Sequence, residues 1–318
     1  MWATLVTIYN PARRRFGAVR SEFRSSGIDG AVLVRCSQLR KLTAVAALAG
    51  LLATITTGLS ADPVSATSSI GVTVQHNLHY APAAIEVADV YRSTTATGPE
   101  PAVLIVHGGG WQTGSKGGWI SEADQLAAAG FVVVVANYQL ASPTVVGFPH
   151  QLHELKAAIQ WMRSDATALG INPARIGALG ASAGGNLVAM LATDAAGPLD
   201  SGNRIRAAVT WSAILDLTTQ PGLSNAIAQY VGCHTDCAAV LADASPIHHV
   251  SADDTPIELF NSTQELVPLA TVQAMDARLS ARHVYHEVVI YPGHGHATDY
   301  AAQAMPATIQ FLQRQLMG

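Results

Sequence analysis

Two uninterrupted apolar runs, AVLIVHG at residues 102–108 and FVVVVAN at 131–137, constrain this chain more than any other feature. A strand with one face in water alternates apolar and polar side chains, whereas a continuous apolar run bounded by glycine or turn residues suits a strand covered on both faces. Residues 121–129 read as the helix between them. From residue 70 onward strand-like and helix-like segments keep alternating, which is the pattern of an α/β fold with a doubly wound, mostly parallel sheet. Half-buried strands are expected at 70–80 and 85–92, near a sheet edge, because apolar and polar residues alternate there. Leu152, Leu155, Ile159, Met162 and Leu169 fall at helical spacing over 150–169, with Gly170 placed as the C-cap. Further strands are expected at 175–180, 206–212, 256–261 and 286–291, and helices at 183–193, 268–281 and 299–317. The length left after these elements provides little or no cap domain over the sheet.

The 318 residues are enough for one large catalytic domain. Only 13% are charged, the formal net charge is -4, and no Lys/Arg cluster is interleaved with aromatics. That excludes an electrostatic grip on nucleic acid and favours small neutral substrates. With 49% apolar residues the low charge is not a sign of disorder.

The first 66 residues stand apart as a leader, leaving 67–318 as the catalytic domain. Arg35, Arg40 and Lys41 precede an uncharged stretch from Leu42 to Leu59, and Leu59-Ser60-Ala61 and Val64-Ser65-Ala66 follow as small-residue cleavage patterns. This order is that of a secretory signal peptide with its apolar region at 42–59, so a secreted or cell-envelope protein is expected. The alternative is an uncleaved anchor, since the stretch approaches the lower limit for spanning a bilayer. Residues 1–34 are long for a signal, and a translation start near Val32 or Val34 would account for them. Of the three cysteines Cys36 lies in the leader, so its removal leaves Cys233 and Cys237 as an even pair, which in an oxidising compartment forms a small-loop disulfide. His234 and Asp236 lie between them, but no second Cys/His pair at ligand spacing supports a metal reading.

The chemistry is concentrated in three short stretches. Gly180-Ala181-Ser182-Ala183-Gly184 matches G-x-S-x-G between an expected strand and an expected helix. A serine at such a turn takes strained backbone angles and projects at a helix N-terminus, where N–H groups favour developing negative charge. His107-Gly108-Gly109-Gly110-Trp111 follows the strand AVLIV, and a glycine loop there lets backbone N–H groups point into a site. It lacks the Gly-Lys-Ser/Thr of a nucleotide loop and the acidic residue of a dinucleotide fingerprint. Third, Tyr291-Pro292-Gly293-His294-Gly295-His296 follows the last apolar strand.

With these motifs the chain resembles the α/β-hydrolase-fold carboxylesterases that carry an HGGG loop, the hormone-sensitive-lipase-like and arylformamidase-like groups. The resemblance runs from Val87-Ala88-Asp89-Val90-Tyr91 through HGGGW, INPARIGALGASAGGNL and YPGHGH. It implies that Ser182 is the nucleophile, that the N–H groups of Gly109, Gly110 and Ala183 form the oxyanion hole, and that His107 orients the loop. It also implies a base placed after a G-x-G step, which selects His296 over His294. A metal pair in His294, His296 and Asp299 is the bland alternative. The acid follows from aligning Val267-Pro268 with the family's H-G-x-x-D-x-x-V-P, which puts Glu265 at the aspartate position. The His-Gly step is missing here, and Asp216, Asp253 and Asp254 are the fallback acids. The implied function is hydrolysis of a small, short-chain carboxylic ester through an acyl-enzyme, with no metal or organic cofactor. An amidase, formamidase or peptidase on the same scaffold is the first alternative, and an inert cell-surface binding protein the second.

Overall fold

The structure is a computed structural model, and it describes residues 6–8, 71–194, 196–220 and 224–318. The apolar stretch at 42–59, the cleavage patterns and Cys36 therefore lie outside the described residues. Among the described residues nine strands form one sheet: β1 (Val6–Ile8), β2 (Val72–His79), β3 (Val87–Ser93), β4 (Glu100–Val106), β5 (Val132–Ala136), β6 (Ile171–Ala181), β7 (Ala207–Trp211), β8 (Ile257–Ser262) and β9 (His286–Tyr291). Their order is β1-β9-β8-β7-β6-β4-β5-β3-β2, parallel from β1 to β5 and antiparallel at the β5-β3 and β3-β2 junctions. β1 lies within the segment read from sequence as leader.

The two apolar runs are the paired central strands β4 and β5. Successive side chains on a strand point to opposite faces, so Ala102, Leu104 and Val106 join one core while Val103 and Ile105 join the other. Val132 and Val134 likewise oppose Val133 and Val135. Each face is covered by helices, so the buried positions 102–106 and 132–136 are all apolar, while the polar Glu100 stands at the half-buried start of β4. Burying one such valine, leucine or isoleucine contributes about 1.5–3 kcal/mol.

The described helices are α1 (Ile120–Ala128), α2 (His150–Ser164), α3 (Ala166–Leu169), α4 (Ala183–Thr193), α5 (Ser224–Val231), α6 (Ala238–Asp243), α7 (Pro246–His249), α8 (Leu269–Ala281) and α9 (Ala301–Leu316). Leu126 of α1 and Phe311 and Leu312 of α9 fill one core; Leu155 and Ile159 of α2, Leu187 of α4 and Met275 of α8 fill the other. The helix expected over 150–169 breaks at Asp165, and Gly170 closes the second piece in the left-handed region at φ 71°. β6 starts earlier than its apolar core suggests: Asn172-Pro173 lies inside the strand, beside an irregular register between Glu100 and Ala102. β3 is buried on nearly every residue rather than half-buried, because β2 and not β3 is the edge. Helices α5 to α7, between β7 and β8, have no counterpart in the sequence reading; they are short, and α6 buries none of its residues. The structure joins Cys233 and Cys237, between α5 and α6, in a disulfide. Among the described residues no helix is long and apolar enough to cross a membrane.

One buried carboxyl sits under this sheet. Glu258 on β8 is 1% exposed and its Oε2 has no hydrogen-bond partner among the described residues. Burial, reinforced by Glu287 and opposed by Arg314, pushes its pKa up to about 8. The folded state therefore keeps a proton that the unfolded chain releases near pH 4–5, and stability falls as pH rises through that window until about pH 8. Glu258→Gln is expected to match the wild type at pH 5 and to be more stable at pH 8.5, by roughly a few kcal/mol at most. Urea unfolding at the two pH values measures it; a stability difference independent of pH contradicts the assignment.

Candidate active site

Ser182 occupies the turn between β6 and α4 with φ 53° and ψ −119°, a region that side-chain-bearing residues rarely enter. Two things hold it there. Its N–H donates to the Trp211 carbonyl at 2.8 Å and its own carbonyl accepts from Asn186 N–H at 2.9 Å. The glycines on either side let the backbones close in: a Cβ on Gly184 would stand against the carbonyl oxygens of Val106 and His107, and one on Gly180 against the carbonyl of Gly184. The G-x-S-x-G pattern is thus a packing requirement between β4, β6 and α4, and the packing leaves the Ser182 side chain half-buried at the C-terminal ends of the parallel strands. In open α/β sheets that end is where ligands bind.

The base and acid come from the loops after β9 and β8. His296 Nε2 lies 3.0 Å from Ser182 Oγ, and its Nδ1 lies 2.5 Å from Glu265 Oε2. The Glu265 side chain is fully buried while that of His296 is 25% exposed, so the imidazole faces the opening and the carboxylate does not. Asp299 accepts from the His296 N–H at 2.9 Å and pins the loop. Glu265 Oε1 accepts from Ser262 N–H at 2.8 Å and from the Ser212 hydroxyl at 2.9 Å. His294 turns away, with Nδ1 2.9 Å from the Gln264 carbonyl. The fallback acids serve turns: Asp216 accepts from Thr218 N–H, and Asp254 from Ser251, and Arg204 donates to the Asp253 carbonyl. Among the described residues no group of three or more His, Cys, Asp or Glu side chains is arranged to hold a metal ion.

The glycine loop after β4 lies directly against the serine, since a Cβ on Gly108 would be 2.7 Å from the Ala181 carbonyl and 3.3 Å from Ser182 Cβ. Gly109 and Gly110 both take positive φ, 118° and 59°. Gly109 turns its carbonyl toward the N–H groups of Gln112 and Thr113 at 3.1 and 3.0 Å, and this frees its own amide. Among the described residues the N–H groups of Gly109, Gly110 and Ala183 make no hydrogen bond within the protein. Three donors beside a nucleophile, all without an acceptor, are what a developing oxyanion requires.

His107 stiffens this loop. Its ring stacks on Tyr138 with centroids 4.2 Å apart, its Nδ1 bonds the Gly108 carbonyl at 2.8 Å, and its own carbonyl accepts from the Tyr138 hydroxyl at 2.8 Å. Burial holds its imidazole below the usual pKa, which keeps it neutral. Trp111, fully buried with φ 62°, stacks on Tyr230 of α5 at 4.3 Å. The far end of the loop is tied down at Lys116, which donates from Nζ to Asp89 at 2.7 Å and from its N–H to the Asn137 side chain at 2.8 Å. Burial works to raise the Asp89 pKa, but the bonds from Lys116, Asn77 and His76 outweigh it and hold the carboxyl below its ordinary value. Sequence reasoning missed Asp89, Lys116, Ser212, Ser262 and Tyr300. Ser212 and Ser262 do carry a signal, since they stand at the carboxyl ends of the parallel strands β7 and β8, the side of the sheet where sites form.

Helix α5 backs onto the loop: the Ala226 carbonyl accepts from Gln112 Nε2 at 3.3 Å. The opposite side of α5 borders a cavity of about 600 Å3 lined by Thr218, Gln220, Asn225, Ile227, His234 and the Cys233–Cys237 disulfide, among others.

Comparison with known proteins identifies the fold and the family. The BD-FAE family matches residues 88–279, more than half of the chain. Among curated relatives, the probable carboxylic ester hydrolase LipM of Mycobacterium tuberculosis is 28% identical over 240 residues, covering 70% of this chain and 55% of LipM. The chain thus spans about half the length of that relative. A truncated carbohydrate esterase from gut microbiota superposes with a TM-score of 0.70 at 22% identity, over 77% of this chain and 97% of that one. Esterase 2 of Thermogutta terrifontis phosphonylated by sarin gives 0.65 at 22%, over 78% and 96%. These likenesses carry the fold, which is that of the α/β-hydrolases, and the family match carries the kinship: the chain belongs to the BD-FAE family.

Proposed function

We propose that the protein is a serine hydrolase of carboxylic esters, acting through Ser182, His296 and Glu265. The observation that carries this reading is the unbroken chain from Ser182 Oγ through His296 to the buried Glu265, lying beside three unengaged backbone donors. His296 Nε2 takes the Ser182 proton as the hydroxyl attacks the ester carbonyl, and Glu265 stabilises the imidazolium through Nδ1. The oxyanion settles on the N–H groups of Gly109, Gly110 and Ala183, each such donor contributing about 100- to 1,000-fold to turnover. His296 then protonates the leaving alcohol, and water attacks the acyl-enzyme with the same imidazole as base. The description of LipM as a carboxylic ester hydrolase, and of a related fold captured with sarin, supports the same chemistry.

An inert binding scaffold has no use for a proton path of this kind, so catalysis is the better account. The carbohydrate esterase that shares the fold supports a polyhydroxylated alcohol as the leaving group. The resemblance to the HGGG carboxylesterases supports a short acyl group. The protein is exported: residues 1–66 are a leader whose removal takes β1 with it and leaves the eight strands β2–β9 and the whole site. The Cys233–Cys237 disulfide suits an oxidising compartment.

A panel of 4-nitrophenyl acetate, longer 4-nitrophenyl esters, an acetylated sugar and N-formylkynurenine tests the substrate class. The expected result is turnover of acetate esters above the longer acyl chains and above the formamide. Faster cleavage of N-formylkynurenine would make the protein a formamidase instead.

A further inference from the structure

The acid loop departs from its family pattern where His-Gly is missing, yet Glu265 is held by more than its imidazole. We infer that Ser212 and Tyr300 form a positioning pair that aims the Glu265 carboxylate at His296. This inference rests on the triad reading above.

Ser212 directly follows β7, is fully buried, and holds φ at 51°, which is costly for a residue with a Cβ. Nothing in its backbone bonding requires serine there: its N–H donates to the Phe260 carbonyl at 2.9 Å, which any residue could do. Its hydroxyl is what is used. Oγ lies 2.9 Å from Glu265 Oε1, 2.8 Å from the Ala297 N–H and 2.7 Å from the Tyr300 hydroxyl.

Counting protons fixes the direction of each bond. The Ala297 N–H can only donate, and an ionised Glu265 can only accept, so the single Ser212 proton goes to the carboxylate. The Tyr300 hydroxyl reaches two acceptors, Ser212 Oγ at 2.7 Å and the Phe260 carbonyl at 3.3 Å, and with the Ser212 proton committed to Glu265 the shorter contact is a bond from Tyr300 to Ser212; burial keeps the phenol protonated by raising its pKa well above the ordinary value. Oγ receives two donors and passes one proton toward Glu265, an arrangement in which each bond polarises the next. One oxygen thereby couples the loop of the acid, the residue after the base, and the strand whose Trp211 carbonyl holds the Ser182 turn. The titratable groups that face Glu265 are His296 and Tyr300; Asp299 lies one step further out on the His296 N–H, and Tyr291 on the Tyr300 ring. Of these, only His296 bonds the carboxylate directly.

Because φ is positive at 212, glycine fits the backbone better than alanine. Ser212→Gly and Ser212→Ala therefore separate the hydroxyl from the strain. Both are expected to lower kcat for 4-nitrophenyl acetate about 10- to 100-fold with KM within about twofold, and Tyr300→Phe to lower it by a smaller factor. The decisive comparison repeats Ser212→Gly in a Glu265→Gln background. A residue that acts through Glu265 should add less than about threefold there, because the carboxylate it aims is gone. Thermal unfolding of each variant reports folding separately. Ser212→Gly with wild-type kcat, or with the same loss in both backgrounds, overturns the inference. If Glu265→Gln alone turns over at the wild-type rate, the triad reading fails and the inference falls with it.

Discussion

Ser182→Ala is expected to lower kcat for a short acyl ester by about four to six orders of magnitude while KM changes little. The bound ester still meets the three backbone donors, so a residual rate above that in water should persist. The fold should survive, because Ser182 Oγ bonds only His296 and alanine has the same Cβ at φ 53°. Steady-state kinetics with a matched unfolding curve measures both. Retained turnover in a folded variant would remove the serine from the mechanism.

The second large effect is on stability. Gly184→Ala places a methyl group against the Val106 and His107 carbonyls, both main-chain atoms of the central strand β4 and the start of the oxyanion loop. Helix propensity alone favours alanine in α4 by about 1 kcal/mol. The clash is larger: neither the strand nor the helix can give way without disturbing the core on both faces, and overpacking of a rigid site costs about 1–3 kcal/mol or more. A net loss of about 2 kcal/mol or more in urea unfolding is expected, along with displacement of Ser182 and the glycine loop. An unchanged midpoint with unchanged kcat would mean that the β4-α4 contact is looser than described.

Much of this was legible in the sequence, for reasons that differ from one element to the next. β4 and β5 could be read because both faces are covered, which keeps polar residues out of the buried runs 102–106 and 132–136. Ser182, Gly109 and Gly110 could be read because backbone crowding and positive φ leave their positions little chemical freedom. His296 and Glu265 fall where the family motifs put them, and the geometry brings His296 to Ser182 and Glu265 to His296. Helices α5 to α7 were not legible: each is too short for a helical period to stand out, and two of them are held by a residue distant in sequence, Asn186, which donates to the Ala244 carbonyl at the end of α6 and accepts from the Tyr230 hydroxyl of α5. Ser212 and Tyr300 were not legible as a pair, since they lie far apart in sequence and meet only when β7 and the start of α9 stand side by side. Glu258 reads as an ordinary polar residue in a strand, and only the packing of α9 over the sheet shows that it is buried.

The mechanism requires that one serine, among many in this chain, carry an activated hydroxyl. Labelling the intact protein with a fluorophosphonate, followed by peptide mapping, tests it most directly. The expected result is a single stoichiometric adduct on Ser182, greatly slowed in Glu265→Gln and absent in Ser182→Ala. An adduct on another serine, or none on a protein that still hydrolyses esters, would contradict the account.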